Sequence, residues 1–184
     1  MTDTLTVIEV VKSLLQPNDI ITITGGEPLL QMDALKELIQ PLQMTFDNDI
    51  IIETNGTIDP SPLAEFGRVG DEARENFHPI TFAISPKLSN SGNPTQLHPG
   101  FIHFDFYLKF VICDPVLDLL ELWKWIKDCP IPIDRSKVIL QPNGMDYDYI
   151  GRLRDLADYV KENKLPYRVL PQLHRLMWGM RRGV

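Results

Sequence analysis

The chain has 184 residues, of which 43% are hydrophobic and 23% charged, as is typical of one globular domain with a sizeable core. The formal net charge is −7, and there is no block of lysines and arginines and no apolar run of bilayer length. We therefore expect neither a nucleic-acid partner nor a membrane partner. Two cysteines are too few for a disulfide framework, which predicts a reducing, cytoplasmic location.

Strand-like and helix-like patterns alternate along the chain. A capping-box start and an apolar stripe predict a helix from Thr6 to about Gln16. After it we expect strands at 20–24, 49–53, 80–85, 103–112, 137–140 and 167–170, and helices around 34–42, 116–126 and 150–160. Stretch 60–76 predicts a short helix and a loop, and the turn-rich stretch 88–100 predicts a mobile loop. The alternation predicts an α/β fold with a parallel sheet of five to six strands and flanking helices, or an incomplete (β/α) barrel.

The stretch DIITITGGEPLLQ, residues 19–31, joins a predicted strand to a helix through two glycines. Its β-branched start predicts a strand buried on both faces. Gly25 and Gly26 permit unusual φ values and a close approach of backbone to a ligand, while Glu27 adds a carboxylate. Such a loop can hold an ammonium through carbonyls and the carboxylate, and an anion at the helix start. The alternative is a plain strand–turn–helix corner.

Polar residues follow the ends of several predicted strands. Glu27 follows the first strand and Glu53 ends the second. Lys87 comes just after the third strand, and Gln141 comes just after the fifth. Because the carboxyl ends of parallel strands meet at one rim, we expect these side chains to surround one cleft. The alternative is that each is a helix cap or a solvated turn.

Seven segments resemble, in order, those of radical S-adenosylmethionine (SAM) enzymes of the 7-carboxy-7-deazaguanine synthase family. They are TGGEPLLQ, ETNGT, SPKLS, LKFVI, LQP, RVLPQLHRLMWG and the closing RGV, and the similarity covers about residues 5–184. GGEP is shared by many radical SAM proteins, whereas SPK and the Gln-x-His tail are narrower signals. The resemblance implies a partial barrel of the radical SAM type, with residues 1–184 forming a single domain.

The resemblance also implies roles for individual residues. The SAM-binding set would be Gly25, Gly26, Glu27, Glu53, Asn55, Ser85, Lys87 and Gln141. The substrate-binding set, facing 6-carboxy-5,6,7,8-tetrahydropterin, would be Thr24, Gln172, His174 and the C-terminal carboxylate of Val184. For His174, packing within the tail is the alternative. The implied reaction starts with hydrogen abstraction by the 5′-deoxyadenosyl radical, and ring contraction with loss of ammonia then gives 7-carboxy-7-deazaguanine.

The family's chemistry uses Mg²⁺ and a [4Fe–4S] cluster held by three closely spaced cysteines. This chain has only Cys113 and Cys129, which we expect to be buried thiols and not ligands. The cluster loop and first strand of the family would precede residue 1. We therefore expect this chain to be inactive on its own. Three explanations are open: a start site placed too late in the gene, a gene split in two, or a decayed, inactive copy of the enzyme. A separate segment carrying the cluster cysteines is then an expected partner, beside a second copy of the chain in a homodimer.

Two other functions are compatible with the sequence. A glycyl-radical activase would share GGEP, although SPK and QLHRLMWG favour the deazaguanine family. A non-catalytic module would keep a SAM or pterin pocket without the cluster. The spacing of His78, His98 and His103 matches no metal site, so we expect no metal ligands in this chain. Deazaguanine derivatives serve both tRNA and DNA modification, so both pathways fit.

Overall fold

The computed structural model of the protein describes residues 4–16, 19–46, 48–67 and 79–181. The chain divides into two compact units. The first comprises residues up to 84 together with 98–106, and the second comprises 85–97 together with 107 onward. His78 and Val184 lie outside the described residues, so what the sequence predicts for them stays a prediction.

The first unit is an α/β layer with three parallel strands. Its helices and strands are α1 (Thr4–Leu14), β1 (Ile21–Ile23), α2 (Met32–Thr45), β2 (Ile50–Thr54) and β3 (Thr81–Ile84), with 3-10 turns at Pro28–Gln31, Ser61–Phe66 and Pro99–His103. Ile21 pairs with Ile50, and Ile52 pairs with Phe82, so β2 lies between β1 and β3. Because the strands are parallel, the loops that follow β1 and β2 leave the same edge of this layer.

The core of the first unit is built by α2 and by an aromatic cluster. Leu35, Ile39 and Leu42, spaced on one face of α2, are all buried. Phe82 of β3 is fully buried and packs edge-to-face against Phe101 and Phe104, with 5.1 Å between ring centroids in each pair. Edge-to-face contacts of this kind stabilise a core beyond their buried area, so β3 is held firmly.

The first strand is less buried than the sequence predicts. Burial on both faces is wrong for β1, because Thr22 is exposed and Ile20, just before the strand, is 55% exposed. Among the described strands β1 pairs with β2 alone, and no residue of the preceding helix α1 is buried. The β-branched composition therefore identifies the strand but not what covers it.

The second unit also alternates strands and helices. Its elements are β4 (Asp105–Ile112, of which 107–112 belong to this unit), α3 (Pro115–Lys127), β5 (Val138–Pro142), α4 (Tyr149–Glu162), β6 (Arg168–Val169) and α5 (Leu173–Trp178), with 3-10 turns at Ser89–Ser91 and Arg135–Lys137. β5 pairs in parallel with β4 and with β6. Asp114 caps α3 by accepting hydrogen bonds from two amides of its first turn, and Asp148 caps α4.

The predicted α/β fold with parallel strands and flanking helices is confirmed, with six described strands. The main differences are local. Thr6 lies inside α1 and is not its cap, because the helix already includes Thr4. Stretch 88–100, predicted to be a loop, contains one 3-10 turn (Ser89–Ser91) and the start of another (Pro99–His103). Within the described ranges, no helix combines the length and apolarity needed to cross a membrane.

Candidate functional site

The loop after β1 turns through two glycines that both have positive φ. Gly25 has φ +114° and Gly26 has φ +55°. A Cβ at either position would meet no heavy atom within 4 Å, so glycine is required by backbone conformation and not by lack of space. The turn is therefore an exposed stretch of backbone without side chains, followed directly by Glu27 and the 3-10 turn that begins at Pro28.

Glu27 joins this loop to the end of β2. Its Oε1 accepts hydrogen bonds from the Thr54 hydroxyl at 2.7 Å and from the Leu29 amide at 3.2 Å. Its Oε2 accepts a hydrogen bond from the Asn55 amide at 2.8 Å. The carboxylate is thus already bound within the protein, and its effect is to hold the glycine turn against β2.

A second carboxylate beside the glycine turn belongs to Glu53. Its Oε2 accepts a hydrogen bond from the Thr24 hydroxyl at 3.2 Å, in an exposed position. The neighbouring Asn55 closes its own turn, because its Oδ1 accepts hydrogen bonds from the amide and hydroxyl of Thr57. The structure therefore brings together the six predicted residues of the first unit: Thr24, Gly25, Gly26, Glu27, Glu53 and Asn55.

The Ser-Pro-Lys segment lies in the second unit. Ser85 is half-buried and Lys87 is exposed. The backbone of Lys87 is paired twice with Thr95: its amide donates to the Thr95 hydroxyl and its carbonyl accepts from the Thr95 amide, each at 2.9 Å. These two bonds close the intervening residues into a compact loop, so the backbone that carries the lysine side chain is fixed.

Two predicted glutamines fasten the C-terminal tail to the end of β5. Gln141 donates a hydrogen bond to the Pro171 carbonyl at 3.4 Å, and Gln172 donates one to the Pro142 carbonyl at 3.2 Å. The Gln172 amide also donates to the hydroxyl of the buried Tyr149. Both side chains therefore serve the structure of the second unit, whatever else they contact.

Arg175 completes the attachment of the tail and was not singled out from the sequence. Its Nε donates to the Gly144 carbonyl at 2.7 Å, and its Nη2 donates to the Asp146 carbonyl at 3.2 Å. Its guanidinium lies 5.8 Å from the centre of the Tyr149 ring. His174, next to it, is exposed, so the alternative of a packed tail histidine is wrong. No local pattern marks Arg175, because its partners lie about thirty residues earlier in the chain.

The two cysteines do not fit a cluster site. Cys113 is exposed and Cys129 is half-buried, so the prediction that both are buried thiols is wrong. Partial burial raises the pKa of both thiols, and the charges of Asp118 and Asp146 raise that of Cys113 further, which disfavours the thiolate that a metal needs. Across the described ranges no group of three or more His, Cys, Asp or Glu side chains could hold a metal ion.

The predicted site residues thus fall into two groups, one in each unit. The first unit holds the six residues around the glycine turn, and the second holds Ser85, Lys87, Gln141, Gln172 and His174. That both groups line one cleft stays a prediction.

Comparison with known proteins gives the family. No protein-family model matches the chain. A 7-carboxy-7-deazaguanine synthase of Pyrobaculum aerophilum is 31% identical over 166 residues, which cover 89% of this chain and 67% of that protein. Proteins of the same name from Methanospirillum hungatei (31% identity, 90% and 61% covered) and Clostridium acetobutylicum (26%, 89% and 69%) also match.

The chain spans about two thirds of the length of these curated relatives. A solved structure described as native anSMEcpe with bound AdoMet aligns with 94% of this chain and 56% of its own, at 16% identity and a TM-score of 0.48, which is too distant to add to the assignment. The sequence match to the Pyrobaculum protein, with two thirds of that protein covered, is sufficient: this chain belongs to the 7-carboxy-7-deazaguanine synthase family.

Proposed function

We propose that this chain carries the SAM-binding and substrate-binding parts of a 7-carboxy-7-deazaguanine synthase. The reaction is the SAM-dependent ring contraction of 6-carboxy-5,6,7,8-tetrahydropterin with loss of ammonia, a carbon–nitrogen lyase step in the synthesis of queuosine-type 7-deazapurines. The family gives the reaction class. The observation that supports a cofactor role for this chain is the Glu27 carboxylate, which fixes the bare glycine turn against the end of β2.

In this proposal the first unit binds the amino-acid portion of SAM. The turn at Gly25 and Gly26 offers backbone groups that no side chain shields. Glu53, at the adjacent strand end, offers a carboxylate that can pair with an ammonium. Thr24 and Asn55 flank these groups, and Thr24 would lie on the substrate side. Glu27 would contact the SAM methionine beside the turn that it fixes, since Oε1 accepts two hydrogen bonds from the protein and Oε2 accepts only one.

The second unit supplies the remaining proposed contacts. Ser85 and Lys87 would bind the SAM carboxylate or ribose, because a lysine ammonium pairs readily with a carboxylate. Gln141 would contact SAM from the end of β5. The pterin would meet Gln172, His174 and the carboxylate of Val184. The two units would then act as a single catalytic domain.

The family's cluster needs residues from outside these 184. Two cysteines can supply at most two of the three thiolates, and their raised pKa values oppose even that use. We therefore propose that a cysteine-bearing segment, in a longer form of the chain or in a second chain, holds the [4Fe–4S] cluster, and that this assembly also binds Mg²⁺. We further propose a homodimer in the cytoplasm, where both cysteines would stay free thiols.

The test compares the 184-residue chain with a form extended by a cysteine-bearing segment, sought by reading the DNA upstream and in neighbouring genes. Both proteins are reconstituted with iron and sulfide without oxygen and supplied with SAM, Mg²⁺, a reductant and the tetrahydropterin. We expect 7-carboxy-7-deazaguanine from the extended form alone. An iron-loaded extended form that makes no product would contradict the proposed reaction. If that form instead generated a glycyl radical on a partner protein, the activase would be favoured. SAM binding without any turnover would favour a non-catalytic module.

A further inference from the structure

The segment 85–97, which carries the proposed SAM contacts Ser85 and Lys87, is fastened to one face of α3. The contacts from α3 come from Asp118, Glu121 and Trp125, spaced at positions i, i+3 and i+7 of the helix. Residues at this spacing share one helix face, so the three side chains form a single row. All of these residues belong to the second unit.

Glu121 makes the central contact. Its Oε1 accepts a hydrogen bond from the Ser89 amide at 2.8 Å, and its Oε2 accepts one from the Ser89 hydroxyl at 2.5 Å. Hydrogen bonds to an ionised carboxylate are about twice as strong as bonds between neutral groups. Ser89 is two residues from Lys87, so these two hydrogen bonds restrain the backbone that carries the lysine side chain.

Asp118 and Trp125 fix the segment on either side of Glu121. The buried Asp118 carboxylate accepts a hydrogen bond from the Asn90 amide side chain at 2.8 Å, and also from the amides of Cys113 and Asp114 at the start of the helix. The Trp125 indole donates to the Thr95 carbonyl at 2.7 Å.

The Trp125 anchor is rigid. The ring is 6% exposed and packs edge-to-face against Phe110, with centroids 5.1 Å apart. Thr95 is the residue whose amide and hydroxyl bond the Lys87 backbone. The helix therefore reaches Lys87 by two routes, through Ser89 on one side and through Thr95 on the other.

We infer that Glu121 is a positioning residue for Lys87: it holds the Ser-Pro-Lys segment so that the lysine side chain is presented for SAM binding. This inference rests on the proposed function for the identity of the ligand, but the attachment itself can be measured without ligand. Leu88 and Leu97 are each 2% exposed, so the ends of the segment are buried, and release of Ser89 frees the polar stretch between them.

The test uses the full 184-residue chain and four variants. Glu121→Ala removes both acceptors, Ser89→Ala removes the hydroxyl bond alone, and Glu121→Gln keeps an acceptor for the amide while its NH₂ can donate to the hydroxyl oxygen. Lys124→Ala, an exposed substitution on the same helix, is the control. The measurements are hydrogen exchange of residues 87–97, tryptic cleavage after Lys87, urea unfolding, and calorimetric titration with SAM and separately with the tetrahydropterin.

For Glu121→Ala we expect faster exchange and cleavage in this segment and a SAM affinity about fivefold to tenfold lower, as for one net hydrogen bond or slightly more. Pterin affinity should be unchanged, and Glu121→Gln should restore most of the SAM affinity. If Glu121 only stabilised the fold, Glu121→Ala would lower the SAM affinity, the pterin affinity and the urea midpoint together. Glu121→Gln would then have the same effect as Glu121→Ala.

The other possible results test the attachment of the segment, the positioning role of Glu121 and the identity of the ligand separately. Unchanged exchange and cleavage in both Glu121→Ala and Ser89→Ala would overturn the attachment. Faster exchange with unchanged SAM affinity would overturn the positioning role. If neither the unsubstituted chain nor its cluster-loaded extended form binds SAM while Glu121→Ala still loosens the segment, the proposed ligand fails and the attachment stands.

Discussion

The Glu27 carboxylate and the Thr54 hydroxyl are 2.7 Å apart and link the loop after β1 to the last residue of β2. Thr54 is 5% exposed, and its hydroxyl oxygen also accepts the Gly56 amide. We expect Thr54→Val to lower the free energy of unfolding by about 1–3 kcal/mol, because it leaves the half-buried Glu27 carboxylate without this donor and a backbone amide without its acceptor. Urea unfolding measures this change in free energy.

Thr54→Ser should recover most of the loss, and Thr22→Val, at an exposed position, should change stability by less than about 0.5 kcal/mol. Equal losses of stability for Thr54→Val, Thr54→Ser and Thr22→Val would contradict the stabilising role of the Glu27–Thr54 hydrogen bond.

Gly144 lies directly under the Gln172 side chain. A Cβ at this position would collide with Oε1 of Gln172, so Gly144→Ala should push that side chain off the Pro142 carbonyl. We expect faster hydrogen exchange in residues 172–178 with little change in the urea midpoint, because the tail is peripheral to the buried core. Gly144→Ala combined with Gln172→Ala should show less additional loosening than the sum of the two single changes. Full additivity would argue against the contact.

Arg175 should be the strongest single attachment of α5. Arg175→Met keeps the apolar stem but removes the hydrogen bonds to Gly144 and Asp146. We expect exchange across α5 to rise by about one order of magnitude, as for one to two net hydrogen bonds, and Arg175→Lys to restore only part of it because lysine lacks the planar fork. Arg154→Met, at an exposed position on α4, is the matched control. Protection equal to that of the parent chain would show that the tail is held elsewhere.

Asp59 should contribute to stability against acid. Hydrogen bonds from the hydroxyl and amide of Ser61 hold the pKa of Asp59 below its ordinary value, and the nearby His98 acts in the same direction. A lowered pKa in the folded state means that the ionised form stabilises the fold above the unfolded-state pKa. This stabilisation is lost as the pH falls through the lower folded-state pKa, below about pH 4.

The measurement is the urea midpoint between pH 6 and pH 3. We expect Asp59→Asn to lose less stability over this interval than the parent chain, whereas Asp158→Asn, an exposed change on α4, should follow the parent. The effect will be small, since Asp59 is half-exposed. If Asp59→Asn lost more stability than the parent chain between pH 6 and pH 3, the lowered pKa of Asp59 would be contradicted.

Cys113 should react slowly despite its exposure. Partial burial and the negative charges of Asp118 and Asp146 raise the pKa of its thiol, so less thiolate is present at pH 8 than in the unfolded chain. We expect alkylation by iodoacetamide, followed by mass spectrometry of the Cys113 peptide, to be several-fold slower in the folded chain. Asp146→Asn should speed it by removing one of these charges. Identical rates in folded and unfolded protein would contradict the raised pKa.

Local chemistry could be predicted from the sequence, but contacts distant in the chain could not. The two glycines announce a turn by themselves, and Gly25 and Gly26 do adopt the positive φ values that only glycine favours. That Glu27 contacts SAM stays a prediction, whereas its hydrogen bonds from Thr54 and Asn55, 27 and 28 residues later, could not be predicted from the sequence. Periodicity within one segment carries no information about such partners.

The row on α3 shows the same limit. In the sequence, Asp118 and Glu121 look like ordinary charged residues of a helix surface, and Trp125 looks like an aromatic residue of the core. Their partners in segment 85–97 are 28 to 32 residues away. The turn-rich composition of stretch 88–100 predicts a mobile loop, because turn residues mark a lack of regular structure; it does not reveal the hydrogen bonds to α3.

The pairing of Lys87 with Thr95 gives the protein a convenient place for a reporter group. Since two backbone-anchored bonds close the base of the loop, the exposed tip at Gly92, Asn93 and Pro94 lies outside the fastened part. A fluorophore attached through Asn93→Cys, in a background with Cys113 and Cys129 replaced, would sit a few residues from the proposed lysine contact. Its emission could then follow ligand arrival in real time without altering any residue proposed to touch the ligand.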